Sequence, residues 1–336
     1  MAGPFSCDMM ESLEGKAPRA LVFAAGLGTR LKPLTDTMPK ALVPVGGQPL
    51  LYHVLRKLKV SGVREVVVNV HHFADQIIAW LAANPVEGLS VAVSDERDFL
   101  RETGGGIRHA EPLLSGPPLS PVVPAPVTPL AGPAPAGRTE GRFLVHNVDI
   151  LSNLDLAWFV SQAPAEALAT LVVSERETRR YFLFREEPSA DGFPGLGGSA
   201  GCGEKAGRAL RLVGWTNVAT GEVRTPFPDL DVAACRKLAF SGIHLISNRI
   251  FDIFRAMDAA ARTTGASAQT TDPSGSGTCG PSAAPLGERF SITDFYLRAC
   301  ADYPVYGIVP PDFRMLDVGK TDTLRTAEAF LRSSGA

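Results

Sequence analysis

An uninterrupted apolar run, RALVF at residues 19–23, opens directly into the small-residue turn AAGLGTR, and this junction constrains the fold more than any other stretch. A strand without polar alternation is covered on both faces, which is the condition of a strand inside a parallel sheet. The following segments agree. Leu50, Val54, Leu55 and Leu58 fall at helical spacing over residues 49–60, Gly62 ends the run, and residues 65–70 (EVVVNV) read as a second strand. The alternation continues with a helix over 74–83, a strand over 89–94, a helix near 105–113 and a strand over 142–148. Such an order predicts an α/β fold with a Rossmann-like, doubly wound sheet. Beyond Asp149 the chain reads as helix 156–162, strand 167–174, short β pieces at 181–184 and 210–213, and a strand over 238–247. Helices over 248–261 and 292–301 and closing strands at 305–309 and 313–318 complete it.

Three stretches break the order: residues 115–141, rich in proline, 186–207, rich in glycine, and 262–287, rich in Ser, Thr and Gly. These compositions bury too little apolar surface to offset ordering, so they read as flexible insertions in a single domain over 19–333. Residues 1–18 read as a disordered tail, with neither the basic start nor the apolar run of a signal peptide. No stretch reaches the roughly 18–20 apolar residues of a spanning helix. A formal net charge of -2 gives no general reason to bind nucleic acid or a membrane, so neither is expected as a partner. Five scattered cysteines without a CxxC pair fit a reducing cytoplasm.

The turn itself points to phosphate. Ala24, Ala25, Gly26 and Gly28 let backbone amides approach an anion without Cβ clashes, Arg30 offers a planar fork of donors, and Lys40 a compact charge. Two other cofactor motifs share part of this pattern. In the dinucleotide fingerprint GxGxxG the third position is Leu31 here, and the second strand ends in Asn69 and Val70 without the expected acid, which disfavours an oxidoreductase. No GxxxxGK[ST] sequence surrounds Lys40, which disfavours P-loop chemistry.

The longer stretch FAAGLGTRLKPLTDTMPKALVPVGGQPLLYHVL resembles the signature of sugar-1-phosphate nucleotidylyltransferases, and the resemblance extends through ETGGGI (102–107), LVHNVDIL (144–151), FSGIHLIS (240–247) and MLDVGK (315–320). The segment ETGGGI is most similar to N-acetylmuramate-1-phosphate uridylyltransferases and to mannose- or heptose-1-phosphate enzymes. The resemblance implies the nucleotide-diphospho-sugar transferase fold, a mixed sheet, and Mg2+-dependent transfer from a nucleoside triphosphate to a sugar 1-phosphate, with pyrophosphate released. It implies Arg30 and Lys40 as catalytic residues, and Ala24, Ala25, Gly26, Gly28, Thr29, Thr103 and Gly104 as nucleotide-binding. Charge developing in such a transfer calls for a hard cation on carboxylates. Asp149, at the end of a strand, and Asp317, in the turn of LDVGK, match the family's Mg2+ ligands. As a plain alternative, Asp149 would cap the helix from Leu156, but Asn153 and Asp155 are better placed for that, while Asp317 could be an ordinary turn aspartate.

At the start of the helix near 105–113, free amides and the Thr103 hydroxyl could bond a planar base, although a glycine-rich helix entry reads the same way. Asn147, Glu175, Gly242 and Asp294 fall in segments resembling the sugar-facing parts of the family. The chain departs from the family at Val148, where glycine is usual before the aspartate, and at SERETRR (174–180), which lacks the EKP motif of many mannose-1-phosphate guanylyltransferases unless Arg176 or Arg179 replaces its lysine. The second departure favours UTP over GTP. Two alternatives stay open: a guanylyltransferase for mannose or heptose 1-phosphate, and a noncatalytic nucleotide-sugar-binding regulator, which Val148 and the insertions suggest and the retained Arg30, Lys40, Asp149 and Asp317 oppose. His71, His72, Trp158 and Trp215 read as structural.

Overall fold

The computed structural model describes residues 17–119, 126–127, 141–188, 208–263 and 284–334. In chain order the elements are β1 (Arg19–Phe23), β2 (Pro44–Val45), β3 (Gln48–Pro49), α1 (Leu50–Val60), β4 (Glu65–Val70), α2 (Ala74–Ala83), β5 (Ser90–Asp95), α3 (Glu102–His109), α4 (Glu111–Ser115), β6 (Pro126–Val127) and β7 (Arg142–Asn147). They continue as β8 (Ile150–Ser152), α5 (Leu156–Gln162), β9 (Ala169–Ser174), β10 (Arg180–Pro188), β11 (Arg208–Asn217), β12 (Glu222–Arg224) and β13 (Arg236–Ser247). Last come α6 (Arg249–Thr263), α7 (Ile292–Ala299), β14 (Val305–Ile308), β15 (Met315–Asp317) and α8 (Thr321–Ser334).

One 11-stranded mixed sheet runs through this order as β10-β11-β14-β9-β13-β7-β1-β4-β5-β6, with β12 on β11. From β7 to β6 every pairing is parallel, and β13 joins β7 antiparallel. Along β1 the side chains alternate between two cores: Ala20 and Val22 face α1, α2 and α5, while Leu21 faces α3, α4, α6 and α7. Helices on both faces are why RALVF carries no polar alternation. The order of strand addition reverses at β1, with β4 and β5 added on one side and β7 later on the other, so the loops leaving β1 and β7 part and leave a crevice.

Several local readings hold and others shift. Asp155, not Asp149, caps α5, accepting the Trp158 N–H at 2.9 Å. The helix expected near 105–113 begins at Glu102 and divides at Ala110, because Pro112 has no N–H and starts a fresh turn. The strands 181–184 and 210–213 lengthen into β10 and β11, so residues 186–188 of the expected second insertion are sheet. Residues 262–263 belong to α6, and Leu286, inside the expected third insertion, is buried and tied through its N–H to Asp258 at 2.9 Å. In the expected first insertion, Ser115 closes α4 and residues 126–127 form β6 on β5, so that stretch is not wholly a loop. Residues 120–125, 128–140, 189–207 and 264–283 of the insertions, and 1–16 of the tail, lie outside the described residues. No helix among the described residues is long and apolar enough to cross a membrane.

Candidate active site

The crevice at the switch point is a cleft of about 580 Å³. Its floor is the turn that follows β1. Gly28 stands at φ +66°, and a methyl there would meet Thr35 Cγ2 at 2.8 Å, so the left-handed backbone and the packing both require glycine. The Gly28 carbonyl is held twice, by the Leu31 N–H at 2.9 Å and the Thr35 hydroxyl at 2.8 Å. Gly26 differs: a methyl there would meet nothing within 4 Å, and the residue is exposed on the cleft wall beside Thr29 and the exposed Arg30.

Across the cleft a short ladder joins distant parts of the chain. β15 pairs antiparallel with β8, setting Asp317 opposite Ile150, and the Val318 N–H donates to the Asp149 carbonyl at 2.8 Å. Asp149 and Asp317, 168 positions apart in sequence (317 minus 149), thereby become neighbours. Lys40 enters from the short 3-10 turn after Pro39, and its ammonium is ion-paired with Asp149 Oδ2, both side chains largely buried. Asp317 Oδ1 is buried and has no hydrogen-bond partner among the described residues. A methyl on Gly319 would stand 2.6 Å from that oxygen and 3.0 Å from Arg30 Nη2, so the glycine of LDVGK lets the Arg30 guanidinium lie beside Asp317.

These residues fit a hard divalent cation. Mg2+ takes oxygen ligands, commonly one or two carboxylates with the remaining positions filled by water and substrate phosphate. An orphaned buried carboxylate oxygen on a residue one ladder position from a second aspartate meets that demand, and a cluster of three or more acidic, His or Cys ligands, of which the described residues contain none, is not needed.

Three readings of the sequence require correction here. The Ala24 and Ala25 amides, expected to cradle phosphate, instead donate to Asn69 Oδ1 at 2.7 and 3.2 Å. The Gly104 and Gly105 amides, expected to face a base, donate to the Phe290 carbonyl at 2.9 and 3.2 Å. A methyl on Gly104 would overlap the Phe290 ring at 2.3 Å and one on Gly105 the Glu288 carbonyl at 2.2 Å, so these glycines admit the chain before α7 rather than a ligand. Thr103 does line the cleft, its hydroxyl oxygen accepting the Ile292 N–H at 2.9 Å. Third, Glu175 and Asp294 do not line the cleft: they pair with Arg236 and Arg224 at 2.6 and 2.9 Å. Asn147 and Gly242 are brought together at a β-bulge of β13, where Gly242 has φ +74° and a methyl would strike Asn147 Nδ2 at 2.5 Å. Arg176 donates to the Phe240 carbonyl at 3.1 Å instead of reaching the cleft.

Sequence reasoning missed Asn69 and Glu96, both buried and both lining the cleft. Asn69 donates to Glu96 Oε1 at 2.9 Å, and burial pushes the Glu96 carboxyl above its ordinary range. The available signal was an asparagine next to the end of a strand that is otherwise apolar from Val66 onward, paired in register with Phe23 at the mouth of the turn. Glu102, a third lining residue, has φ +59° and pairs with Arg289 at 2.8 Å.

Known proteins agree with the motifs. Residues 20–185 match the MobA-like NTP transferase domain. The N-acetylmuramate alpha-1-phosphate uridylyltransferase of Caulobacter vibrioides is 52% identical over 102 residues, 30% of this chain and 42% of that protein. Its counterpart in Neisseria meningitidis is 36% identical over 137 residues, 41% of this chain and 49% of that protein. The chain spans less than half the length of these curated relatives. A UDP-glucose pyrophosphorylase solved with UDP-glucose shares the fold, with a TM-score of 0.58 at 14% identity over 94% of this chain and 98% of the other.

Proposed function

We propose that this chain, which carries a MobA-like NTP transferase domain over residues 20–185, transfers a nucleotidyl group from a nucleoside triphosphate to a sugar 1-phosphate and releases pyrophosphate. The observation that carries the reading is the Lys40–Asp149 ion pair in a cleft floored by the glycine turn, with Asp317 brought next to Asp149 by the β8–β15 ladder. An oxygen of the sugar 1-phosphate forms a bond to the α-phosphorus while the bridging bond to the β-phosphate breaks, and its electron pair leaves with pyrophosphate. No side-chain nucleophile is required, because a phosphate monoester is already anionic. Positioning and charge neutralisation therefore dominate. Exposed Arg30 presents a fork of donors at the cleft wall, and Lys40 sits where a triphosphate can compete with Asp149 for its ammonium. Bound by Asp149 and Asp317, Mg2+ would supply further neutralisation of the phosphate charge. Asn147, held over Gly242, offers an amide suited to sugar hydroxyls.

UTP is the favoured nucleotide, since both relatives named above are uridylyltransferases, and N-acetylmuramate 1-phosphate is the first acceptor to try. The test is a matrix of the four nucleoside triphosphates against several sugar 1-phosphates with Mg2+, scored for pyrophosphate. Release with UTP and an amino-sugar phosphate is expected. Release only with GTP and mannose or heptose 1-phosphate would reverse the base assignment, and tight nucleotide binding without release under any pairing would replace the enzyme with a regulator.

A further inference from the structure

Glu96 has a fully buried side chain that faces the cleft, and no step of the proposed transfer uses it. It continues the line of β5, its N–H donating to the Val70 carbonyl at 2.8 Å. Its Oε1 accepts from Asn69 Nδ2 at 2.9 Å, and the other end of the same amide, Asn69 Oδ1, accepts both the Ala24 and Ala25 N–H groups at 2.7 and 3.2 Å. A carboxylate can only accept and a backbone N–H can only donate. Glu96 therefore obliges Asn69 to turn its NH2 inward and its oxygen toward the turn, and the two alanine amides demand the same orientation. An interior charge is thus converted into one fixed direction for an amide, and that amide into one fixed path for the chain leaving β1.

The third glycine of ETGGGI belongs to this arrangement. A methyl on Gly106 would stand 3.0 Å from Glu96 Oε1 and 3.3 Å from Asn69 Nδ2, so glycine leaves the room in which α3 covers the pair. Among the described residues the second carboxylate oxygen has only the distant Arg101 N–H, at 3.4 Å. Burial raises the carboxyl's pKa, and the hydrogen bonds from Asn69 and Arg101 offset that only in part.

We propose that Asn69 and Glu96 are positioning residues that fix Ala24 and Ala25 so that residues 26–30 receive the triphosphate. This rests on the nucleotidyl-transfer reading above. Asn69→Leu, Glu96→Leu and Glu96→Gln would be compared with the wild type by KM and kcat for each substrate, thermal unfolding, and hydrogen exchange of residues 19–30. Both leucine variants are expected to lower kcat/KM for the nucleotide at least about tenfold, the scale of a lost hydrogen-bond pair, while the sugar phosphate KM stays within about twofold. Glu96→Gln, whose Oε1 can still accept, should recover most of the nucleotide kcat/KM. Ala24 and Ala25 should lose protection in Asn69→Leu while β1 keeps it. Wild-type nucleotide kinetics in the leucine variants would overturn the proposal, as would a joint rise of both KM values with a fall in Tm, which marks a merely structural role. If the wild type releases no pyrophosphate from any nucleotide, the nucleotidyl-transfer reading fails instead. The exchange measurement then still decides the pair, with unchanged protection at Ala24 and Ala25 overturning it.

Discussion

Two glycine-rich segments border the cleft, and they use glycine for opposite ends. In the turn after β1, Gly28 supplies a left-handed backbone and Gly26 leaves open space, so the absence of side chains there serves whatever enters the cleft. At the start of α3, Gly104 and Gly105 admit protein: the Phe290 ring and the Glu288 carbonyl occupy the volume a methyl would need. Composition cannot tell these cases apart, because both write small residues after a strand. The difference lies in which other segment arrives at the glycine.

The largest effect should come from the charges facing the turn. Asp317→Asn keeps the shape of a side chain whose buried oxygen has no partner among the described residues, so the fold should hold while pyrophosphate release falls by about 10³ or more. Steady-state assays with urea titration check this, and near-wild-type turnover would remove Asp317 from the site. Lys40→Ala should lose comparable activity but also stability, because Asp149 is left largely buried without its counter-charge.

Acid tests the sheet that carries both segments. Burial holds His146, next to Asn147, at a pKa of about 4, and His244, bonded to the Tyr296 hydroxyl of α7 at 2.6 Å, at about 3. Both folded values lie below the unfolded value of about 6.5, so the unfolded chain binds the extra protons. Their contribution is complete above that value and is lost as pH falls toward 4, at about 1.4 kcal/mol per pH unit for each histidine. Chemical denaturation at pH 7.5 and 5.5 should differ accordingly, and a flat profile would contradict the neutral, buried state of both rings.

Gly105→Ala should cost about 1–3 kcal/mol in unfolding free energy, since the new methyl meets backbone rather than a movable side chain. Gly26→Ala should cost less than about 0.5 kcal/mol, yet raise the nucleotide KM about tenfold if the triphosphate passes over that position. Equal stability losses at the two positions would dissolve the contrast between the segments.

Much of the fold was legible because hydrophobic period and turn residues are local. RALVF, EVVVNV and the spacing of Leu50, Val54, Leu55 and Leu58 specify β1, β4 and α1 with little help from the rest of the chain. The three-residue strand β8 was not, since so short a run gains strand geometry only from its partner β15. The candidate site divides the same way. Arg30 and Asp317 stand out beside glycine turns, and Lys40 and Asp149 by the motifs that resemble the family's, whereas Asn69 and Glu96 resemble ordinary ends of strands.

The sequence by itself determined that a buried strand opens into a turn able to approach phosphate, with two basic residues and two acids at strand ends. Only the tertiary structure decided which amides are free. Ala24 and Ala25 are taken by Asn69, and Gly104 and Gly105 by Phe290. A backbone N–H is the same donor in every residue except proline, so its availability depends on the acceptor that folding brings to it, and these acceptors lie 44 or more residues away.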